Sequence, residues 1–166
     1  TNALRVELAP GVKIDFKKLE RHFYTTSSCG ICGKASIDAV AQQGQFDIAS
    51  NALRISGAVL GGLPAALKER QAVFEQTGGL HASGLFDTAG TIVAVREDVG
   101  RHNALDKLIG SSLLAGQVPL AGFGIVVSGR TSFELMQKAK IAGCPIVAAV
   151  GAPSSLAVEL ANEFGM

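Results

Sequence analysis

Two cysteines spaced C-x-x-C lie within Thr25-Thr26-Ser27-Ser28-Cys29-Gly30-Ile31-Cys32-Gly33-Lys34. The Thr and Ser hydroxyls favour turns and caps by bonding to nearby backbone. Gly30 and Gly33 let the chain bend tightly and keep the sulfurs accessible. Lys34 and the start of a helix over Ala35 to Ala41 both favour thiolate over thiol. The expected chemistry is a reactive thiol pair with Cys29 or Cys32 as nucleophile.

Rival readings stand beside it. A thioredoxin-like pair needs an apolar strand leading into the motif, and none precedes Cys29. A structural zinc site needs four ligands. Only Cys144 and the scattered His22, His81 and His102 remain, so no complete metal site is expected, although three ligands would be available. Two buried, inert cysteines are the third reading, and the polar, Gly-rich neighbours argue against it.

Three further segments share one pattern of strand end, small residues and helix start. They are Glu97 to Asn103, Ser128-Gly129-Arg130-Thr131-Ser132, and Val150-Gly151-Ala152-Pro153-Ser154-Ser155. If their strands run parallel, the turns gather at one sheet edge, where α/β proteins bind ligands. Asp98, Arg101, His102, Ser128, Gly129 and Arg130 would then gather as one set around a phosphorylated or nucleotide-bearing ligand. Helix N-termini present free N–H groups to an anion, and the two guanidinium forks suit phosphate. Capping alone accounts for Thr131 and Ser154. No P-loop and no G-x-G-x-x-G is present. Asp98 with His102 and Asn103 with Lys107 are expected as helix-surface pairs four residues apart. His102 is alternatively a general acid or base near neutral pH. His81 reads as a satisfied core histidine, with the same site within reach. Cys144 reads as buried and inert.

The elements that must position these residues can be followed along the chain. Leu4, Val6 and Leu8 alternate with Arg5 and Glu7 as a half-buried strand, and Pro10-Gly11 is a turn. Ile14 to Phe23 predicts an amphipathic helix, and a second helix follows from about Lys34 to Gln43. Ala49 to Ile55 is a short strand or an irregular entry. Ala58 to Gln76 predicts helix, broken at Gly61-Gly62 and restarted at Pro64. Leu80 to Phe86 and Thr91 to Glu97 predict a hairpin around Asp87-Thr88-Ala89-Gly90. Asp98 is expected to cap a helix over Val99 to Leu114. Phe123 to Val127 and Ile146 to Val150 predict buried strands. A capping box from Thr131 to Glu134 opens a helix to about Ala142, and Ser154 starts a last helix through Phe164. The pattern predicts a three-layer α/β/α fold around a mixed sheet, as one domain over residues 1–166.

The bulk properties fit that class. The 48% apolar content describes a globular chain. A net charge of +1 without a Lys/Arg block argues against a nucleic-acid binder. Three cysteines suit a reducing cytoplasm better than a secreted disulfide framework. No signal-peptide pattern is seen. The longest uncharged stretch, Ile55 to Leu67, falls short of the ~20 apolar residues of a membrane span.

The string from Glu97 to Leu108 (Glu-Asp-Val-Gly-Arg-His-Asn-Ala-Leu-Asp-Lys-Leu) resembles the formate dehydrogenase accessory sulfurtransferase family. So do Phe86 to Gly90, Ser28 to Gly33, Thr77 to Ala82, and Ser128 to Lys138. The resemblance implies a cytidine-deaminase-like fold, a homodimer and a cytoplasmic sulfur carrier. Such a carrier takes sulfane sulfur from a cysteine desulfurase as a persulfide. It passes that sulfur to the molybdenum or tungsten bis-pterin guanine dinucleotide destined for formate dehydrogenase. Cys29 carries over as the persulfide bearer, with Cys32 as partner or second carrier. The set from Asp98 to Arg130 named above becomes the cofactor-binding set, and a guanine nucleotide would mimic the bound substrate. The zinc motif of deaminases is not present, so the fold would be shared without their chemistry. Family members usually also carry an N-terminal β-rich region and a further C-terminal strand, and this chain is expected to lack both. Two other functions stay open: a non-catalytic cofactor-binding or chaperone module, and a C-x-x-C redox or metal site.

Overall fold

Short apolar runs separated by Gly-, Asp- and Ser-containing turns fold here as strands alternating with helices. The computed structural model describes Arg5 and residues 7–13, 46–51 and 53–166. The expected helices at Ile14 to Phe23 and Lys34 to Gln43, and the loop with Cys29 and Cys32, lie outside the described residues. The chain divides into two units, Thr1–Val40 and Ala41–Met166. In the first, Pro10-Gly11 forms the expected turn, with the Val12 N–H donating to the Ala9 carbonyl at 3.2 Å. Arg5 and residues 7–9 belong to no strand, and Leu8 is 49% exposed. The half-buried strand expected there is therefore absent among the described residues: no sheet neighbour covers Leu8.

The second unit contains α1 (Gly57–Glu69), α2 (Ala72–Thr77), β1 (His81–Phe86), β2 (Ile92–Asp98), α3 (Arg101–Leu114), β3 (Gly124–Arg130), α4 (Phe133–Ile141), β4 (Ile146–Gly151) and α5 (Ser155–Phe164). The sheet order is β2-β1-β3-β4. β1 runs antiparallel to β2 and β3, and β3 runs parallel to β4. Strands β2, β3 and β4 therefore point one way, and their C-terminal ends share an edge with the start of β1. Leu105 and Leu108 of α3 and Leu135 and Ala139 of α4 pack with Leu85, Ile125 and Val127 on one face. Leu63 and Leu67 of α1 cover Ala82, Phe86 and Val126 on the other. This is the expected three-layer α/β/α arrangement with a mixed sheet. No helix among the described residues is long and apolar enough to cross a membrane.

The hairpin folds as its sequence predicts. Asp87 Oδ1 accepts from the Ala89 and Thr91 N–H groups at 2.9 Å each, and Gly90 takes a φ of +85°. Three other expectations change. Helix α1 runs unbroken through Gly61, Gly62 and Pro64, and the break falls at Arg70-Gln71. Two glycines and a mid-helix proline cost about 5 kcal/mol relative to alanine. Burying Leu63 and Leu67, each 1% exposed, returns about 3–6 kcal/mol and keeps the helix whole. Residues 46–56, where described, are an irregular entry, anchored by the Asn51 side-chain amide on the Ala121 carbonyl at 2.9 Å. Strand β4 is half-buried rather than buried, with Val150 54% exposed, because it stands outermost among the described strands.

Candidate functional site

The edge shared by β2, β3, β4 and the start of β1 gathers all the described residues of the expected ligand-binding set. It forms where the sheet loses its regularity. The β1–β3 ladder ends at Ser83 opposite Val127, and the β3–β4 register shifts between Val127 and Arg130. Beyond that point the Ser128 hydroxyl replaces a backbone partner, accepting from the Ala82 N–H at 2.9 Å. Such irregularities re-aim side chains at sheet ends. The His81 Nδ1 lies 3.5 Å from the same hydroxyl. A Cβ on Gly129 would sit 3.4 Å from the His81 ring and 3.7 Å from Arg101 Cδ. The bare glycine thus lets both side chains close on the Ser128-Gly129 backbone. His81 is a half-buried edge residue, not a core one, because β1 begins at this edge.

Asp98 ties the first turn together. Its Oδ1 accepts from the Gly100 N–H at 2.9 Å and the Asn103 amide at 3.1 Å, and its Oδ2 meets Lys107 Nζ at 2.6 Å. Lys107, then the Gly100 N–H and Asn103, hold the carboxyl down at about 2. Asp98 is not the expected N-cap. It ends β2, and extended Gly100 caps α3 without a side chain. The expected Asp98–His102 and Asn103–Lys107 pairs do not form: Asn103 and Lys107 both turn to Asp98.

His102 instead reaches across to α4. Its Nε2 lies 3.2 Å from Ser132 Oγ and 3.0 Å from Glu134 Oε2. Burial lowers the imidazole's pKa, and the charges of Arg101 and Lys138 push the same way. A neutral ring with its proton on Nε2 satisfies these contacts, since a carboxylate only accepts. Asp106 and Lys138 pair at 2.6 Å beside it. The expected capping box is replaced by this bridge. Ser132, not Thr131, is the N-cap residue, its hydroxyl makes no capping bond, and Thr131 is buried. Ser154 does cap α5, accepting from the Ala157 N–H at 3.2 Å. The Ser154 N–H donates to the Thr131 carbonyl at 3.0 Å, which joins the third turn to the second.

The two arginines differ. Arg101 Nε is buried and has no hydrogen-bond partner among the described residues, although its Nη groups remain to be used. Arg130 is exposed, its stem lying where a Cβ on Gly151 would come within 2.9 Å of Cγ. An anion at this edge would satisfy the Arg101 donor and meet Arg130 in solvent. Alongside lies a cavity of about 610 Å³ between α1, α2 and the edge, with Phe74, Leu80, His81 and Ser128 in its wall.

Of the thiols, Cys29 and Cys32 lie outside the described residues. Cys144 is fully buried, its one S–H lies within reach of the Phe123 and Ile146 carbonyls at 3.4 and 3.3 Å, and its pKa is pushed up to about 12 by burial. It is inert, as expected.

Fold and edge together define a three-layer α/β protein that gathers Arg101, with its buried unpartnered Nε, and exposed Arg130 at its strand ends. The chain belongs to the FdhD/NarQ family, which it matches over residues 2–166. A protein named sulfur carrier protein FdhD from Streptomyces coelicolor is 54% identical over 166 residues, covering 99% of this chain and 59% of that protein. One of the same name from Mycobacterium tuberculosis is 52% identical over 165 residues, with 99% and 60% covered. The chain thus spans about 60% of the length of these relatives. A crystal structure from Desulfotalea psychrophila, provisionally assigned as a formate dehydrogenase accessory protein, superposes with a TM-score of 0.58. It is 28% identical and covers 71% of this chain and 52% of that one.

The sequence reading missed Glu134 and Ser132 as partners of His102, and Gln71 and Phe74 in the cavity wall. Glu134 was visible only as a capping residue. The string Thr77 to Ala82 enters the cavity at Gly78, Gly79, Leu80 and His81, and of these the sequence placed only His81 within reach of the site.

Proposed function

We propose that this protein is a sulfur carrier serving formate dehydrogenase. The observation that carries the reading is its 52–54% identity, over nearly its whole length, to proteins named as sulfur carriers. In this reading the Cys29 thiolate attacks the outer sulfur of a cysteine desulfurase persulfide. A new S–S bond forms at Cys29, and the desulfurase thiolate leaves, so no external oxidant is needed. Cys32 takes part as resolving partner or second carrier. With Cys32 as resolving partner, its thiolate attacks the inner sulfur of the persulfide, a Cys29–Cys32 disulfide forms, and the outer sulfur leaves at the sulfide level for a molybdenum or tungsten bis-pterin guanine dinucleotide held as substrate. Arg101 and Arg130 take its phosphates, Ser128 and Gly129 line their approach, and Asp98 and His102 lock the turns in place. The carrier works as a cytoplasmic homodimer with a cytidine-deaminase-like fold.

The test is intact mass spectrometry after incubation with a cysteine desulfurase and cysteine. Addition of ~32 Da, one sulfur, on Cys29 or Cys32, removable by reductant, is the expected result. Undiminished labelling of Cys29→Ala and Cys32→Ala together would remove the carrier role from this pair. A binding-only role has one observation in its favour: Arg101 Nε is buried without a hydrogen-bond partner among the described residues, as a donor for an anion would be. It expects guanine-nucleotide binding that survives loss of both cysteines, without a sulfur adduct.

A further inference from the structure

Strand β2 stands outermost on its side of the described sheet, so one row of its backbone groups has no described strand beside it. Which groups these are follows from β1. The Ala82 N–H turns to Ser128 on β3, so Ala82 and its neighbour Glu97 on β2 form a pair without mutual hydrogen bonds. Such pairs alternate with bonded ones along an antiparallel ladder. Glu97 and Val95 therefore aim their N–H and carbonyl groups away from β1. The register slips between Leu85 and Phe86, and Val93 is the bulged residue. Phe86 again faces β3, which returns its neighbour Ile92 to the outward row. Each of these three outward carbonyls carries a cation. Arg70 Nη1 donates to Ile92 at 3.1 Å, Arg96 Nη1 to Val95 at 2.8 Å, and Lys107 Nζ to Glu97 at 3.1 Å. The cations come from three elements: Arg70 closes α1, Arg96 belongs to β2, and Lys107 to α3. The segment beneath them is Thr91-Ile92-Val93-Ala94-Val95, rich in β-branched residues and free of charge and proline. That composition adds strands readily when an edge is bare. Val93 is 46% exposed on it.

We infer that Arg70, Arg96 and Lys107 close the β2 edge to strand addition. An incoming strand has to strip three charge-assisted hydrogen bonds before it can pair, and such bonds are stronger than the neutral ones it offers in return. A second copy laid antiparallel on this edge also brings its own three cations against these, and like charges across a strand pair repel. The Val93 bulge adds to the block by breaking the pleat. The device confines whatever the chain assembles with, a second copy included, to surfaces other than this edge. It involves no thiol and no ligand, so it stands or falls apart from the sulfur-carrier reading.

The experiment compares the 166-residue chain with its Arg70→Ala/Arg96→Ala variant. Lys107 is left in place because it also holds Asp98. Sedimentation velocity over a wide range of concentration reads assembly, and amide hydrogen exchange at Val95 and Glu97 reads the edge itself. In the wild type both amides should exchange quickly, since they face outward with no strand to pair them. The variant is expected to form larger, concentration-dependent species, and in these the two amides should slow about tenfold or more as a new strand pairs them. A variant that is merely destabilised moves exchange the other way. Val93→Lys in the same background puts a fresh cation on the edge and should restore the wild-type size. Slow exchange at Val95 and Glu97 in the wild type overturns the inference, and that readout needs no variant. A folded variant that keeps the wild-type size overturns it too. So do larger species in which both amides still exchange quickly, because their contact lies on another surface.

Discussion

The Lys107 ammonium lies 2.6 Å from the Asp98 carboxylate, nine positions back along the chain, and not against a neighbour on its own helix. This pair closes the β2–α3 turn from outside, and the Lys107 ammonium also donates to the Glu97 carbonyl at 3.1 Å. Because Lys107 and two further donors hold the Asp98 pKa at about 2 against an ordinary 3.8, the folded state releases this proton more readily than the unfolded one. The resulting stability is present above pH 3.8 and is lost as pH falls toward 2. Asp98→Asn is expected to cost about 1–2 kcal/mol at pH 7, much of it from the lost charge-assisted bonds. Denaturant unfolding at pH 7 and pH 3 checks this: the gap between wild type and variant should narrow at the lower pH.

His102 loses stability in the same direction, but at higher pH. Burial, with Arg101 and Lys138 nearby, lowers its pKa below 6.5, so the unfolded chain binds the proton more tightly. Stability therefore falls as pH drops below 6.5 and levels off below the folded value. His102→Gln, which keeps a donor for Ser132 and Glu134 but does not titrate, should flatten that part of the profile. Thermal midpoints of both proteins between pH 7.5 and 5.5 measure it. Parallel curves would mean that His102 does not titrate differently in the folded chain.

Cys144 should resist alkylation at pH 8 while the protein is folded. Its thiol is pushed up to about 12, and both carbonyl contacts lie within the core. Thiolate is the reactive form, so the folded rate should sit orders of magnitude below that of a free cysteine, whose pKa is about 8.5. Peptide mapping after iodoacetamide, with and without denaturant, reads this directly. Labelling of Cys144 in the folded protein would show that the β3–β4 core opens.

The order of strands and helices was readable because each element announces itself locally. Strands such as Ile125 to Val127 are continuous apolar runs, and Asp87 and Gly90 mark their hairpin. The convergence of three turns followed from the parallel directions of β2, β3 and β4. What the sequence concealed were partnerships set by the third dimension. The rule of pairing four residues apart applies within a helix, and Asp98 belongs to a strand, so it was free to take Lys107. His102 found Ser132 and Glu134 some thirty residues away, and no local pattern marks such a choice. The unbroken α1 was hidden for a related reason: Gly and Pro speak for local cost, whereas the burial of Leu63 and Leu67 is decided by the sheet.

Glu97 offers the most local test of how the cavity is held. Its two carboxylate oxygens accept from successive N–H groups at the start of α2, a helix of six residues too short to persist alone. The negative charge also complements the helix N-terminus. Glu97→Ala removes both acceptors and is expected to cost about 1–2 kcal/mol locally, on the scale of a lost N-cap. Amide exchange at Val73 and Phe74 should then quicken about 5–30-fold, while exchange in β1 and β3 stays near wild type. Because Phe74 lines the cavity, loosening α2 should also weaken any ligand bound there, with the sheet intact. Unchanged exchange at both amides would show that α2 is held by its packing on the α1 side and not by the carboxylate.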